Sequence, residues 1–218
     1  MAATKVFSEP FDSKNRLAEL GLDEESLIQC AIRGQSAWAD CTPNHPTIYR
    51  GLCPWAETIC GLREYLLPKG WRRSDEGNLP VTTNKQNSIS IIVSTGNEDT
   101  GRKDANPSTK STKGPRTAEA ISGNLEHTLF GDIRKVANKT DGKATYILLF
   151  HRDDELNEIR CELSRPLRIN EQDERIDEWT ERIILRNTPF GSGGRILTVD
   201  GNGPQTPNIE VEIKRRSA

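Results

Sequence analysis

The chain has 218 residues, of which 33% are hydrophobic and 28% charged, and its formal net charge is −2. This length is enough to bury one sizeable core, and the balanced charge argues against binding nucleic acid over a broad basic face. No apolar run reaches the roughly 20 residues that cross a bilayer, and the N-terminus lacks the apolar segment of a secretory signal. The sequence therefore predicts a cytoplasmic protein with no membrane association.

The N-terminal part of the chain predicts an irregular leader and then two helices. Residues 1–16 are polar and carry no clear period, so we expect them to be the leader. Asp23 is a residue type that caps helix N-termini, and apolar residues at helical spacing follow it. A second helix is predicted to begin at Pro54, because a proline at the first position loses no hydrogen bond. Its apolar stripe consists of Trp55, Ile59, Leu62 and Leu66.

The rest of the chain predicts short strands, because apolar residues alternate with polar ones. Two of these segments, 79–83 and 89–93, are expected to form a hairpin. The strand over residues 158–163 is expected to be half-exposed, because charges occupy its alternate positions. The predicted strands cover residues 79–83, 89–93, 145–151, 158–163, 178–185, 195–199 and 208–213.

The order of these elements predicts an α+β fold with a mainly antiparallel sheet and two to four helices packed on it. Two αββ-like halves are a further possibility, although the two halves share no residue-level similarity. Residues 17–200 are predicted to form a single domain that includes a long polar loop over residues 95–116. Residues 201–218 are predicted to be a linker and a C-terminal edge strand or arm.

The long polar loop is the strongest candidate for a binding site, because about twenty residues is long for a connection within a domain. Its cations outnumber its acids, hydroxyl groups lie between them, and a helix start follows at Pro115. A helix N-terminus favours an anion, so this combination suits a phosphate group. The same composition is also typical of a solvated, flexible loop. The predicted ligand-binding residues are Arg102, Lys103, Lys110, Ser111, Thr112, Lys113 and Arg116.

We therefore predict a non-enzymatic binding protein whose partner is a phosphate-bearing ligand, a nucleic acid or another protein. The alternative is a metal-dependent hydrolase that uses the carboxylates Asp75, Glu98 and Asp99 near strand ends. Gly96 and Gly101 have the spacing of a phosphate-binding P-loop, but the Lys-Ser/Thr pair that should follow is missing.

Five cysteines, an odd number, are typical of free thiols in a reducing compartment. Cys41, His45, Cys53 and Cys60 lie close together in the sequence. Their spacing lacks the close ligand pairs of structural zinc sites. The sequence therefore predicts buried thiols, and it predicts no metal and no cofactor.

Overall fold

The computed structural model describes residues 4–86, 88–129 and 143–190, and in these residues eight strands form one mixed sheet with helices on both faces. The strand order is β1-β7-β6-β5-β4-β3-β2, and β8 pairs with the start of β6. The α+β class predicted from the sequence is confirmed. The elements, in chain order, are β1 (Lys5–Phe7), α1 (Pro10–Glu19), α2 (Glu24–Ala39), α3 (Thr47–Leu66), β2 (Arg72–Ser74), β3 (Val81–Thr83), β4 (Ile89–Thr95), α4 (Pro115–Leu129), β5 (Ala144–Asp153), β6 (Glu158–Arg168), β7 (Glu178–Ile184) and β8 (Thr188–Pro189).

The prediction of a mainly antiparallel sheet is corrected by the strand pairings. Most described pairings are antiparallel, but β1 pairs with β7 and β4 pairs with β5 in parallel. Parallel neighbours need a crossover connection, and the long loop with α4 carries the chain back across the sheet between β4 and β5. The helices α3 and α4, which would head the two αββ-like halves, pack on opposite faces.

The larger core lies between the sheet and helices α1 to α3. Along β5, Leu148 faces this core, whereas Ile147 and Leu149 face the opposite side, where Ile121 of α4 covers them. This alternation follows from the period of two in a strand. Because both faces are covered, the central strands are buried along almost their whole length.

The start of α3 differs from the sequence prediction, because the helix begins at Thr47 and Pro54 lies inside it. A proline within a helix removes one backbone hydrogen bond. Tight packing on α2 compensates: an added Cβ on Gly34 of α2 would lie 2.5 Å from the Pro54 carbonyl oxygen. Only glycine permits that approach, and it allows the first turns of α3 to bury Cys53.

The expected irregular leader contains a strand, β1, and a helix, α1, which begins at Pro10. Proline suits the first helical position, and Leu17 of α1 is fully buried in the core. The predicted strands over residues 195–199 and 208–213, and the C-terminal arm, lie outside the described residues.

Candidate functional site

Buried ionic groups hold the long loop against the sheet. Arg160 of β6 donates from Nε to the carbonyl of Thr100 at 2.9 Å and from Nη2 to the carbonyl of Glu98 at 2.6 Å. The backbone N–H of Gly101 donates to the Glu162 carboxylate at 2.9 Å. Arg160 and Glu162 are 1% and 0% exposed, so the expectation that 158–163 is half-exposed is wrong. Their charges face the loop and not water.

The neighbouring strand β7 adds a second guanidinium to this arrangement. Arg182 pairs with the Glu162 carboxylate at 2.7 Å and donates to the carbonyls of Arg102 and Ala105. Hydrogen bonds to charged groups are stronger than those between neutral groups. Both members of this buried ion pair, Glu162 and Arg182, therefore form hydrogen bonds with the main chain of the loop.

The far side of the loop is hydrogen-bonded to the start of β7 and to the segment before it. The Thr109 N–H donates to the Ile176 carbonyl at 2.9 Å, and Trp179 Nε1 donates to the Pro107 carbonyl at 2.8 Å. Thr109 is fully buried. The loop is thus a packed layer over the sheet beside α4.

The structure separates the predicted ligand-binding cations into different places. Arg102 lies 3.6 Å from the Asp153 carboxylate, and Lys103 pairs with Glu9 at 3.3 Å. These two cations already have acidic partners, because the loop carries them over β6 towards the N-terminal segment.

Lys113 lies beneath the loop. Its Nζ donates to Ser94 Oγ at 2.8 Å and to Ser111 Oγ at 3.0 Å. Burial lowers the pKa of Lys113 to about 8. Ser94 is only 2% exposed, so this Ser–Lys pair does not present a nucleophile at the surface. Thr112 is exposed nearby.

Arg116 lies at the N-terminus of α4 and pairs with Glu119 at 3.1 Å. The N–H groups of Thr117 and Ala118 donate to the Gly114 carbonyl, which leaves fewer free donors for an anion at this helix end. Arg116 also lines a groove of about 400 Å³ between α4 and strands β2 to β4, where Glu119 reduces its positive charge.

A second cavity, of about 270 Å³, lies where β4 and β5 end beside α2 and α3, and it receives Lys110 from the loop. We call it the basic crevice. The residues that define it are Trp38, Arg50, Lys110, His151, Arg152 and Asp154.

Two guanidinium groups lie on the indole ring of Trp38. The Arg152 group is 3.5 Å from the ring centroid and the Arg50 group 5.3 Å. Arg152 also donates from Nε to Asp154 Oδ1 at 2.7 Å. Its Nη1 is buried and has no hydrogen-bond partner within the described parts of the chain. In residues 4–86, 88–129 and 143–190, neither Arg50 nor Lys110 forms an ion pair.

His151, near the end of β5, is held by Gly96, the residue that follows the neighbouring strand β4. Its Nδ1 lies 3.2 Å from the Gly96 carbonyl oxygen, which can only accept, so Nδ1 carries the proton. Burial lowers the pKa of His151, so the ring is neutral at neutral pH. The crevice then has three cationic side chains against one carboxylate.

The carboxylates of the hydrolase alternative do not come together. Asp75 pairs with Arg63 beside β2, whereas the main chain of Glu98 lies over β6. These strands are four positions apart in the sheet, or about 19 Å at the usual strand spacing. Among the described residues no group of three His, Cys, Asp or Glu side chains is placed to hold a metal ion.

Sequence reasoning found Lys110 but missed the other crevice residues. Trp38, Arg50 and Arg152 come from three distant segments, and none stands out alone. The available signal was positional: ligands bind at the carboxyl ends of parallel strands, and this rule requires knowing that β4 and β5 are parallel.

In the described residues, the fold and the crevice define an α+β protein with a mixed sheet and a positively charged cavity at the ends of two strands. The chain matches no protein-family model, no curated protein and no solved structure. None of the helices in the described residues has the length and apolar character needed to span a bilayer.

Proposed function

We propose that this protein binds a small phosphate-bearing ligand in the basic crevice without transforming it. The observation that carries the proposal is the convergence of Arg50, Lys110 and Arg152 on one concave space that contains a single carboxylate, Asp154. The location supports it as well, because ligands of open sheets bind at the ends of parallel strands.

Phosphate is the anion that this set of donors suits best. Arginine presents a planar fork of donors that matches phosphate oxygens, and lysine adds a compact charge. Within the described residues, Nη1 of Arg152 is a buried donor without a partner. Such a donor costs free energy, which an acceptor oxygen that reached it would recover.

A small ligand fits the crevice better than a nucleic acid does. Proteins that bind single strands stack bases on aromatic rings, but the ring of Trp38 is already covered by Arg152. Of the loop residues predicted to contact the ligand, Lys110 has the direct role in this proposal. Lys113 donates to Ser94 and Ser111 and holds the chain next to Lys110, whereas Thr112 is exposed. A protein partner is compatible with the exposed loop surface.

We also place this binding function in the cytoplasm. The support is that Cys30, Cys41, Cys53, Cys60 and Cys161 are all free thiols. Structural disulfides are rare in that compartment.

The proposal is tested by calorimetric titration with inorganic phosphate, pyrophosphate, a sugar phosphate and a nucleotide. We expect at least one probe to bind, and Arg50→Ala and Lys110→Ala to weaken it about tenfold each, or about 1.4 kcal/mol. Lys103→Ala is the matched control, because its ion pair with Glu9 lies outside the crevice. Absence of binding for all four probes, or equal losses in the control, would reject the proposal.

A further inference from the structure

Two of the cysteines lie close enough to react with each other. Cys41 Sγ and Cys53 Sγ are 3.3 Å apart, although the residues are 12 positions apart in the chain. Both side chains are buried, and both sulfur atoms lie near the Ala37 carbonyl oxygen, at 3.4 and 3.7 Å. A disulfide has a sulfur–sulfur length of about 2.05 Å, so a shift of roughly 1.3 Å would join them.

The pair also connects two elements that form the basic crevice. Cys41 follows α2, whose last turns carry Trp38, and Cys53 lies in α3 after Arg50. A bridge between them would enclose residues 42–52, which comprise the end of the connection between the two helices and the first turns of α3 with Arg50. The other thiols have different surroundings: Cys60, for example, lies beside Arg33 and Glu64.

We propose that Cys41 and Cys53 form a reversible disulfide with each other when the protein meets a low-molecular-weight disulfide of the glutathione class. We further propose that this bridge fixes the Arg50 side of the crevice and so changes its affinity for phosphate. The second part rests on the proposed function, whereas the first part does not.

The chemistry balances as two successive exchanges. One cysteine thiolate attacks the small disulfide, which forms a mixed disulfide and releases one small thiol. The second cysteine thiolate then attacks the first sulfur, which releases the second small thiol and leaves the protein bridge. Two protein thiols are oxidised, and one small disulfide is reduced to two thiols.

The surroundings of the pair make the exchange slow. Burial raises the pKa of Cys53 to about 12. The thiolate that attacks is therefore scarce at neutral pH. The bridge is expected to form under sustained exposure to oxidant and not during a brief pulse.

The first part is tested by mass spectrometry on the full chain. The reduced protein is incubated with oxidised glutathione, its remaining thiols are alkylated, and it is digested with trypsin. We expect residues 34–50 linked to residues 51–63, with the loss of two hydrogen atoms and release on reduction. Cys60 lies in the second peptide, so the link should persist in Cys60→Ser and disappear in Cys53→Ser and in Cys41→Ser.

Modification of Cys60 alone, stable mixed disulfides at Cys41 or Cys53, or cross-links only between molecules would overturn the first part. If the serine variants do not fold, fragmentation of the linked wild-type peptides decides the same question, because backbone cleavage between Cys53 and Cys60 shows which of the two is bridged. The second part is tested by titrating the wild-type protein, before and after oxidation, with a phosphate-bearing probe that binds the reduced form. The expected change in affinity is about threefold. Equal affinities with a formed bridge would overturn only the second part. Absence of binding for all four phosphate-bearing probes in both states would instead reject the proposed function and leave the bridge intact.

Discussion

The Glu162 carboxylate is the residue on which the course of the long loop depends most directly. It is fully buried, pairs with Arg182 and accepts from the Gly101 N–H. Alternation of charged and apolar residues along β6 indicated a solvated face, because charges are usually exposed. The sequence could not show that a distant loop would cover these charges, or that Asp153 and Arg182 on the neighbouring strands would pair with them.

Glu162→Gln is expected to destabilise the protein by about 3–5 kcal/mol, because it leaves the buried Arg182 charge without its counter-charge. Urea unfolding measures this change. Glu119→Gln is the control, because its partner Arg116 is exposed and such pairs contribute at most about 1 kcal/mol. Equal losses of unfolding free energy in the two variants would contradict a stabilising role for the buried Glu162–Arg182 pair.

His151 predicts a pH dependence of stability. Burial lowers its pKa in the folded state below the ordinary value of 6.5. The neutral ring therefore contributes stability that is complete above the unfolded pKa and is lost as the pH falls through the lower folded pKa. We expect the stability difference between wild type and His151→Gln to shrink or reverse from about pH 7.5 to about pH 5.5, in phosphate-free buffer. A difference that grows with acid would refute this assignment.

Helix α3 shows where element-scale prediction succeeds and where it fails. Its apolar stripe was recognised because period 3.6 is a local signal, and Ile59, Leu62 and Leu66 are buried as expected. Its start was not recognised, because continuation through Pro54 depends on packing against Gly34 of the neighbouring helix. That contact has no counterpart in the local sequence.

Gly34→Ala is expected to destabilise the protein by about 1–3 kcal/mol or more, because the new Cβ meets the Pro54 carbonyl and the Thr58 hydroxyl. Gly51→Ala is a matched control in α3, since its Cβ would meet nothing within 4 Å. Alanine is the better helix former, so the control should be neutral or more stable by about 0.5–1 kcal/mol. Thermal and urea unfolding compare the two variants, and a harmless Gly34→Ala would refute the close approach.

At the scale of the whole molecule, the longer strands were predictable, whereas the short strands β1, β2 and β8 were not, and the arrangement was only partly so. Alternation located β4, β5, β6 and β7, because it reflects burial of one or both faces. The parallel pairing of β4 with β5 depends on the path of the connection between them. The crevice depends on that pairing, so five of its six defining side chains had no local signal, and only Lys110 was named from composition.

Hydrogen exchange tests the packed loop against the solvated loop that its composition also allows. We expect slow exchange at Gly101 and Thr109, whose N–H groups donate to Glu162 and Ile176, and in the central strands. The exposed edge strand β2 should exchange faster. Rapid exchange at both loop positions would show that the loop is not packed in solution.

The guanidinium groups of Arg160 and Arg182 donate hydrogen bonds to main-chain carbonyl oxygens of the loop, and every amino acid has such a carbonyl. The side chains at Asp99 and Lys103 can therefore be exchanged while the backbone keeps its path. Side chains of different chemistry could therefore be introduced at these two loop positions without redesigning the residues that hold the loop.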